Sequence, residues 1–234
     1  MRHPVYKAVV VLFATAMLVG LLQLPPPGTA GAVHMHVSAD YVAGGAEAGG
    51  ASNLVTAVLL NYRGLDTFGE VMVIFSALIA VLLVRAVAAG PDEQPRSADR
   101  ERLPVSPVVH YVVRVLAPFL AAFALFVMIS GDVMPGGGFQ GGVMLAAMMI
   151  LLTLALGRGR VDGMIRGGAR FWVRAAAPLA FLLVAAIGLA ATGWWFGLPG
   201  PAPVRHALMV ALEVAIGIGG AAVLTGIFLA LSED

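Results

Sequence analysis

The stretch Met134-Pro135-Gly136-Gly137-Gly138-Phe139-Gln140-Gly141-Gly142 lies between two apolar runs, 108–130 and 141–157, each about twenty residues long. A soluble chain would surround such a glycine cluster with charge, and this one does not. The cluster reads as a hairpin between two membrane helices, with Pro135, Gly136, Gly137, Gly138, Phe139, Gly141 and Gly142 as its structural residues. Glycine lets backbones approach closely and lets helices pack without intervening side chains. Backbone groups freed near a membrane must be satisfied by protein or by a water-filled cavity. The hairpin is therefore expected to be buried in an assembly and not to face lipid.

Working outward, four further apolar segments have the same character. With the hairpin flanks they give 5–24, 67–89, 108–130, 137–157, 171–196 and 205–231. Each can cross a hydrocarbon core of about 30 Å at 1.5 Å per residue. A shorter apolar run, 53–62, precedes the second. The fold class is an all-α integral membrane protein with about six transmembrane helices. The chain is 60% hydrophobic and only 12% charged, against about 25% charged in a soluble domain. Arg2 and Lys7 before 5–24, with small residues near Thr29-Ala30-Gly31-Ala32, allow a signal-peptide reading. The apolar length favours an uncleaved helix.

Basic residues alternate along the chain. Arg2 and Lys7 precede the first segment, and 25–52 holds no Lys or Arg. Arg96, Arg100 and Arg102 follow the second, with Arg85 and Arg114 at the adjoining helix ends; 131–136 has none. Arg158, Arg160, Arg166, Arg170 and Arg174 follow the fourth, and 197–204 has none. The positive-inside rule then places both termini in the cytoplasm. Residues 90–106 are polar and proline-marked, a cytoplasmic tether. They divide the chain into a two-helix unit, 1–89, and a four-helix unit, 107–234. Residues 25–52 are expected to be an irregular outer loop.

Several functions are excluded. The net charge of +1 gives no electrostatic case for nucleic acid. The absence of cysteine removes thiolate metal sites, iron–sulfur clusters and disulfides. His34 and His36 lack a third ligand, so no metal site is expected. No catalytic constellation, P-loop or dinucleotide fingerprint is present, so neither a cofactor nor enzymatic activity is expected. Trp172, Trp194, Trp195, Tyr62 and Tyr111 fit interfacial aromatic belts, and Pro118 and Pro178 fall inside helices.

The informative charges are those beside or inside apolar runs. Ionisable residues in membrane segments are costly and often mark ion or proton relays. Asp66 and Glu70 share a face if their helix extends that far, and Arg63 lies near it. The alternative is an interfacial turn at 61–70, with Asp66 and Thr67 capping the helix. Glu213 lies within 205–231, ahead of Gly217, Gly219 and Gly220, which would give that helix a close-packing face. It suits either a proton carrier or a structural bond to a neighbouring helix. Asp132, beside the hairpin, reads as a solvated turn residue.

Two of these stretches resemble known families. The Met134–Gly142 stretch, in a four-helix unit with Glu213 in its last helix, resembles the MnhB/MrpB subunit of Mrp-type multisubunit Na+/H+ antiporters over about 107–231. Ser52-Asn53-Leu54-Val55-Thr56-Ala57-Val58-Leu59-Leu60-Asn61-Tyr62-Arg63-Gly64-Leu65-Asp66-Thr67-Phe68-Gly69-Glu70 resembles the motif that closes the large MrpA chain and occurs separately as MbhE in membrane-bound hydrogenases. Asn61 stands where that family usually has an acidic residue, and Asp132 where the MrpB family often has histidine.

The resemblance implies an accessory subunit in a complex that couples proton and Na+ movement across a prokaryotic cytoplasmic membrane. Its partners would be other membrane subunits, the lipid bilayer, Na+ and H+. The implied ion-path residues are Glu70, Asp66, Arg63 and Glu213. The alternatives are a subunit of an ion-translocating, hydrogenase-type respiratory complex, and a structural scaffold without ion contact.

Overall fold

The computed structural model describes residues 39–45, 47, 49–88, 106–158 and 167–232, with five isolated positions before residue 23. The chain forms two compact units, 1–43 and 44–234. All elements below belong to the second. Most of the expected segment 5–24 and nearly all of the 90–106 tether lie outside the described residues.

Every regular element among the described residues is helical. A short helix α1 (Leu54–Ala57) runs into a π-helical turn at Val58–Tyr62, followed by α2 (Gly64–Ala88), α3 (Pro107–Ile129), α4 (Gly138–Leu156), α5 (Gly167–Thr192) and α6 (Ala202–Leu231). α2 to α6 are five helices long and apolar enough to cross a membrane. Their bounds shift from expectation where local chemistry dictates. α2 opens at Gly64 and not at residue 67, so the interfacial-turn reading of 61–70 fails and Asp66 and Glu70 both lie on the helix. Thr67 does not cap it; its hydroxyl donates to the Leu59 carbonyl at 2.7 Å, within the π-helical turn. α5 stops at Thr192, and Trp194 and Trp195 belong to the turn beyond it. α6 starts after Pro201, with Pro203 in its first turn, where a missing N–H costs nothing. Residues 39–44 are helical, so the 25–52 loop is not irregular throughout.

α6 is the centre of the bundle: 50% of its most apolar window is buried within the chain, against 11% for α2. Glycine makes this possible on two faces. At Gly217 a Cβ would run into Met128 of α3, and at Gly142 of α4 it would lie 2.9 Å from the Gly217 carbonyl. At Gly219 it would lie 3.1 Å from the Ala177 nitrogen of α5. Gly220 meets nothing within 4 Å. The expected single close-packing face is therefore two faces, with α3 and α4 on one side and α5 on the other.

The helix connections separate the bundle into two ends. One end carries Arg85, Arg158, Arg170 and Arg174, and Arg158 donates to the Leu229 carbonyl near the end of α6 at 3.2 Å. Cations suit a helix C-terminus. The other end gathers the α3–α4 hairpin, the α5–α6 turn and residues 49–62. It holds a core of Ala57, Leu60, Phe181, Phe196, Leu198, Met209 and Leu212. Tyr62 packs against that core and is partly buried.

Candidate functional site

The α3–α4 hairpin is built around a missing cap. The first amides of a helix lack intrahelical partners, and the residue that caps α4 is Gly137, which has no side chain to offer. The partner comes instead from α6: Glu213 Oε2 accepts the Gly138 N–H in a short, buried hydrogen bond. A carboxylate at a helix N-terminus is favoured both by the unpaired amide and by the helix dipole. Glu213 is only 6% exposed.

The glycines form a cradle for that carboxylate. A Cβ at Gly137 would lie 2.9 Å from both Glu213 oxygens, and one at Gly131 would lie 3.1 Å from Oε1. At Gly138 it would collide with the Glu213 carbonyl. Gly136 (φ 151°) and Gly137 (φ 128°) also hold positive-φ conformations unfavourable to other residues. The Gly137 N–H donates to the Val127 carbonyl at 3.1 Å, which ties the hairpin back onto α3. The Gly137 and Gly138 amides are thus satisfied by protein, while Val133, Met134 and Pro135 at the tip are exposed.

The 53–70 segment is fastened to this hairpin. Asn53 Nδ2 donates to the carbonyls of Gly131 (2.8 Å) and Met134 (2.9 Å). Its Oδ1 meanwhile accepts the Val55 N–H at 3.0 Å, capping α1. The Asn53 N–H donates to the Asp132 carbonyl at 2.7 Å, and the Thr56 hydroxyl to the Gly131 carbonyl at 2.6 Å. On the opposite side a Cβ at Gly64 would lie 2.8 Å from the Phe196 ring. Phe196, at φ 60°, turns that ring into the core against Phe181, with centroids 5.9 Å apart. Asn53 and Thr56 were not among the expected site residues. A polar residue just before an apolar run does signal a helix cap, but its second duty, across 78 positions to Gly131, has no local signature.

The expected residues fall into two groups. Arg63 donates to Asp66 Oδ2 from Nε (2.6 Å) and Nη2 (2.5 Å), with the side chains 60% and 54% exposed. Glu70, one turn further along α2, is exposed and has no polar partner among the described residues. Glu213 stands apart from this line, in the cradle. Asp132 is not the solvated turn residue expected: its side chain is 4% exposed and pairs through Oδ2 with His206 Nδ1 at the start of α6. The turn buries Asp132 because Asn53 and Thr56 hold its neighbours' carbonyls.

Comparison with known proteins matches two regions of the chain to family models. A family model described as a domain related to the MnhB subunit of Na+/H+ antiporter matches residues 108–230. A model for the E subunit of MBH matches 11–95. A probable K+/H+ antiporter A/B subunit of Rhizobium meliloti is 27% identical over 214 residues, covering 78% of this chain and 21% of that one. An uncharacterized protein of Methanocaldococcus jannaschii is 28% identical over 116 residues, 45% of this chain and 44% of its own. The chain thus spans less than half the length of these two relatives. Among solved structures, a chain of the membrane-bound sulfane sulfur reductase, an archaeal respiratory membrane complex, superposes with a TM-score of 0.68 at 28% identity. That match covers 97% of this chain and 96% of that one. A chain of the Mrp complex from Dietzia sp. DQ12-45-1b shares the fold, with a TM-score of 0.58 at 19% identity over 94% of this chain and 25% of that one.

Proposed function

We propose that this chain, which belongs to the family of domains related to the MnhB subunit of Na+/H+ antiporters, is an accessory membrane subunit of a multisubunit cation/proton antiporter complex. It would line part of the ion path and hold neighbouring subunits together, without catalysing a reaction itself. Its setting would be a prokaryotic cytoplasmic membrane, crossed six times with both termini cytoplasmic and the arginine-bearing end of the bundle inside. Residues 1–89 and 107–234 would be its two functional units, joined by the 90–106 tether.

The observation that carries this reading is the capping of α4 by Glu213 inside the hairpin that Asn53 and Thr56 clamp. A carboxylate buried among apolar helices is costly unless partnered. Here its partner is a backbone amide whose bond weakens when the carboxylate takes up a proton. Proton occupancy of Glu213 would then bear on hairpin geometry, and the clamp would pass that change to the segment carrying Arg63, Asp66 and Glu70. Glu70 would be the proton- or Na+-linked carboxylate of this segment, with Arg63 and Asp66 setting its field. The test is cation-dependent proton exchange in vesicles holding the whole complex, comparing wild type with Glu213→Gln and Glu70→Gln, with assembly followed on native gels. Loss of exchange in assembled complexes supports the reading. Unchanged exchange in both variants makes the chain a scaffold.

One observation favours a second reading. The match to the sulfane sulfur reductase chain runs nearly end to end on both sides. A redox-driven complex would use the same subunit, with electron transfer supplying the energy. Purifying the tagged chain from its own membrane decides between the two: flavin or iron–sulfur absorbance in the intact complex supports the redox-driven assembly, and its absence supports the antiporter.

A further inference from the structure

Asp132 Oδ2 and His206 Nδ1 are in direct contact, a pair that the carboxylate line does not use, and exposure falls steeply from His206 to Asp132. The His206 side chain is 53% exposed and that of Asp132 4%, and Glu213 beyond them is 6% exposed. His206 and Glu213 are seven residues apart on α6, about 10 Å along its axis. Asp132 is next in sequence to Gly131, whose position faces Glu213 Oε1. We propose that His206 and Asp132 form a proton-exchange station that serves Glu213 from the turn end of the bundle, an inference that rests on the ion-path reading above.

The arrangement has the parts such a station needs. Histidine changes charge near neutral pH and is the usual proton-handling side chain. Buried Asp132 receives from it by direct contact, and chains of Asp, Glu and His are the common form of membrane proton relays. Gly131 keeps the way to Glu213 clear, because any side chain there would press on Oε1 and on the Gly137 backbone. The turn cannot drift, since the Gly131 and Asp132 carbonyls are held by Asn53 and Thr56. Of the charged groups among the described residues, the Glu213 carboxylate interacts electrostatically with Asp132, and Arg205 adjoins His206 in sequence. α1 contributes Asn53 and Thr56, and the end of α3 contributes Ser130, whose hydroxyl donates to the Phe126 carbonyl. The remaining cation, Arg205, donates to the Glu47 carbonyl at 3.0 Å.

In one cycle the His206 imidazolium gives its Nδ1 proton to Asp132 Oδ2, leaving neutral imidazole and a carboxylic acid. The acid passes the proton by way of water to the Glu213 carboxylate and returns to its charged form. The half-exposed imidazole then rotates to take the next proton from solvent on Nδ1.

The experiment measures cation-dependent proton flux in vesicles carrying the intact complex, from about pH 5 to about pH 8, the interval in which imidazole groups change charge. Wild type is compared with His206→Gln, Asp132→Asn and the control Arg205→Gln. His206→Gln is expected to lower flux by about tenfold to a hundredfold and to remove the pH dependence near neutrality, and added imidazole is expected to restore part of it. Asp132→Asn is expected to lose flux without imidazole rescue, and Arg205→Gln to keep the wild-type profile. An assembled His206→Gln complex with wild-type flux and pH profile overturns the station while leaving the transport reading standing. Failure of both His206→Gln and Asp132→Asn to assemble makes the pair structural and likewise overturns it. A wild-type complex with no cation-linked flux overturns the transport reading, and the station with it.

Discussion

Glu213 and Glu70 are both carboxylates in long apolar helices, yet they stand in opposite surroundings. Glu213 is buried in the central helix, hydrogen-bonded to a helix-terminal amide and enclosed by three glycines. Glu70 is exposed on the least buried of the five described spans and has no polar partner among the described residues. A charge in lipid cannot stay unpartnered. The first carboxylate has its partner within the bundle, and under the proposed function the second would be completed at a contact with a neighbouring subunit or with water.

The sharpest way to break this contrast is to fill the glycines beside each carboxylate. Gly138→Val drives a side chain into the Glu213 carbonyl and the Ile216 Cβ, 2.8 Å away, and is expected to abolish assembly on native gels. Gly69→Ala, next to Glu70, meets nothing within 4 Å and is expected to assemble normally. Normal assembly of Gly138→Val would mean that the cradle is not close-packed.

Next in size is the effect on transport. Glu213→Gln and Glu70→Gln are each expected to reduce cation-linked proton flux by at least about tenfold, in the range of lost acid–base groups. They should part on stability. Glutamine at 213 weakens a buried charge-assisted bond of about 1.5–3 kcal/mol, which thermal denaturation of the complex should register. Glutamine at 70 removes no bond made among the described residues. A lower melting temperature for Glu70→Gln alone would show that a partner subunit grips that carboxylate.

A smaller effect is expected at the clamp. Asn53→Ala removes two hydrogen bonds and a helix cap, each worth about 1 kcal/mol, and should lower the melting temperature of the complex by several degrees. Asn53→Ser retains a capping oxygen and loses the amide donors to Gly131 and Met134, so it should fall between alanine and wild type. Equal losses for the two variants would assign the whole effect to the clamp. The smallest change belongs to Arg63→Gln. The Arg63–Asp66 pair is more than half exposed, and such pairs contribute about 0–1 kcal/mol, so the melting temperature should hardly move. A large loss would place the pair in a buried contact with another subunit.

How much of this was legible differs between elements. The apolar runs announced α2 to α6 because hydrocarbon demands about twenty residues per span, and that demand leaves its mark on composition. The hairpin was legible because few residues other than glycine tolerate the conformations of Gly136 and Gly137. Helix starts were less so: α2 reaches back to Gly64 because the π-helical turn and the Thr67 hydroxyl complete its beginning, an arrangement with no periodic signal. Asp132 was misread because a lone aspartate beside a glycine turn normally faces water, and only the distant His206 and the clamp on its neighbours bury it.

The sequence by itself determined that this chain is a membrane protein with a glycine hairpin, and that Glu70, Asp66, Arg63 and Glu213 are the charges to be explained. Those conclusions follow from local quantities: the length of an apolar run, the presence of a Cβ, the spacing of residues along one helix. Only the tertiary structure decided that Glu213 caps α4, that Asn53 and Thr56 clamp the hairpin, and that Asp132 pairs with His206. These contacts join residues about 75 positions apart. A helix end signals that it needs a partner, but which side chain reaches it is settled by how the helices pack.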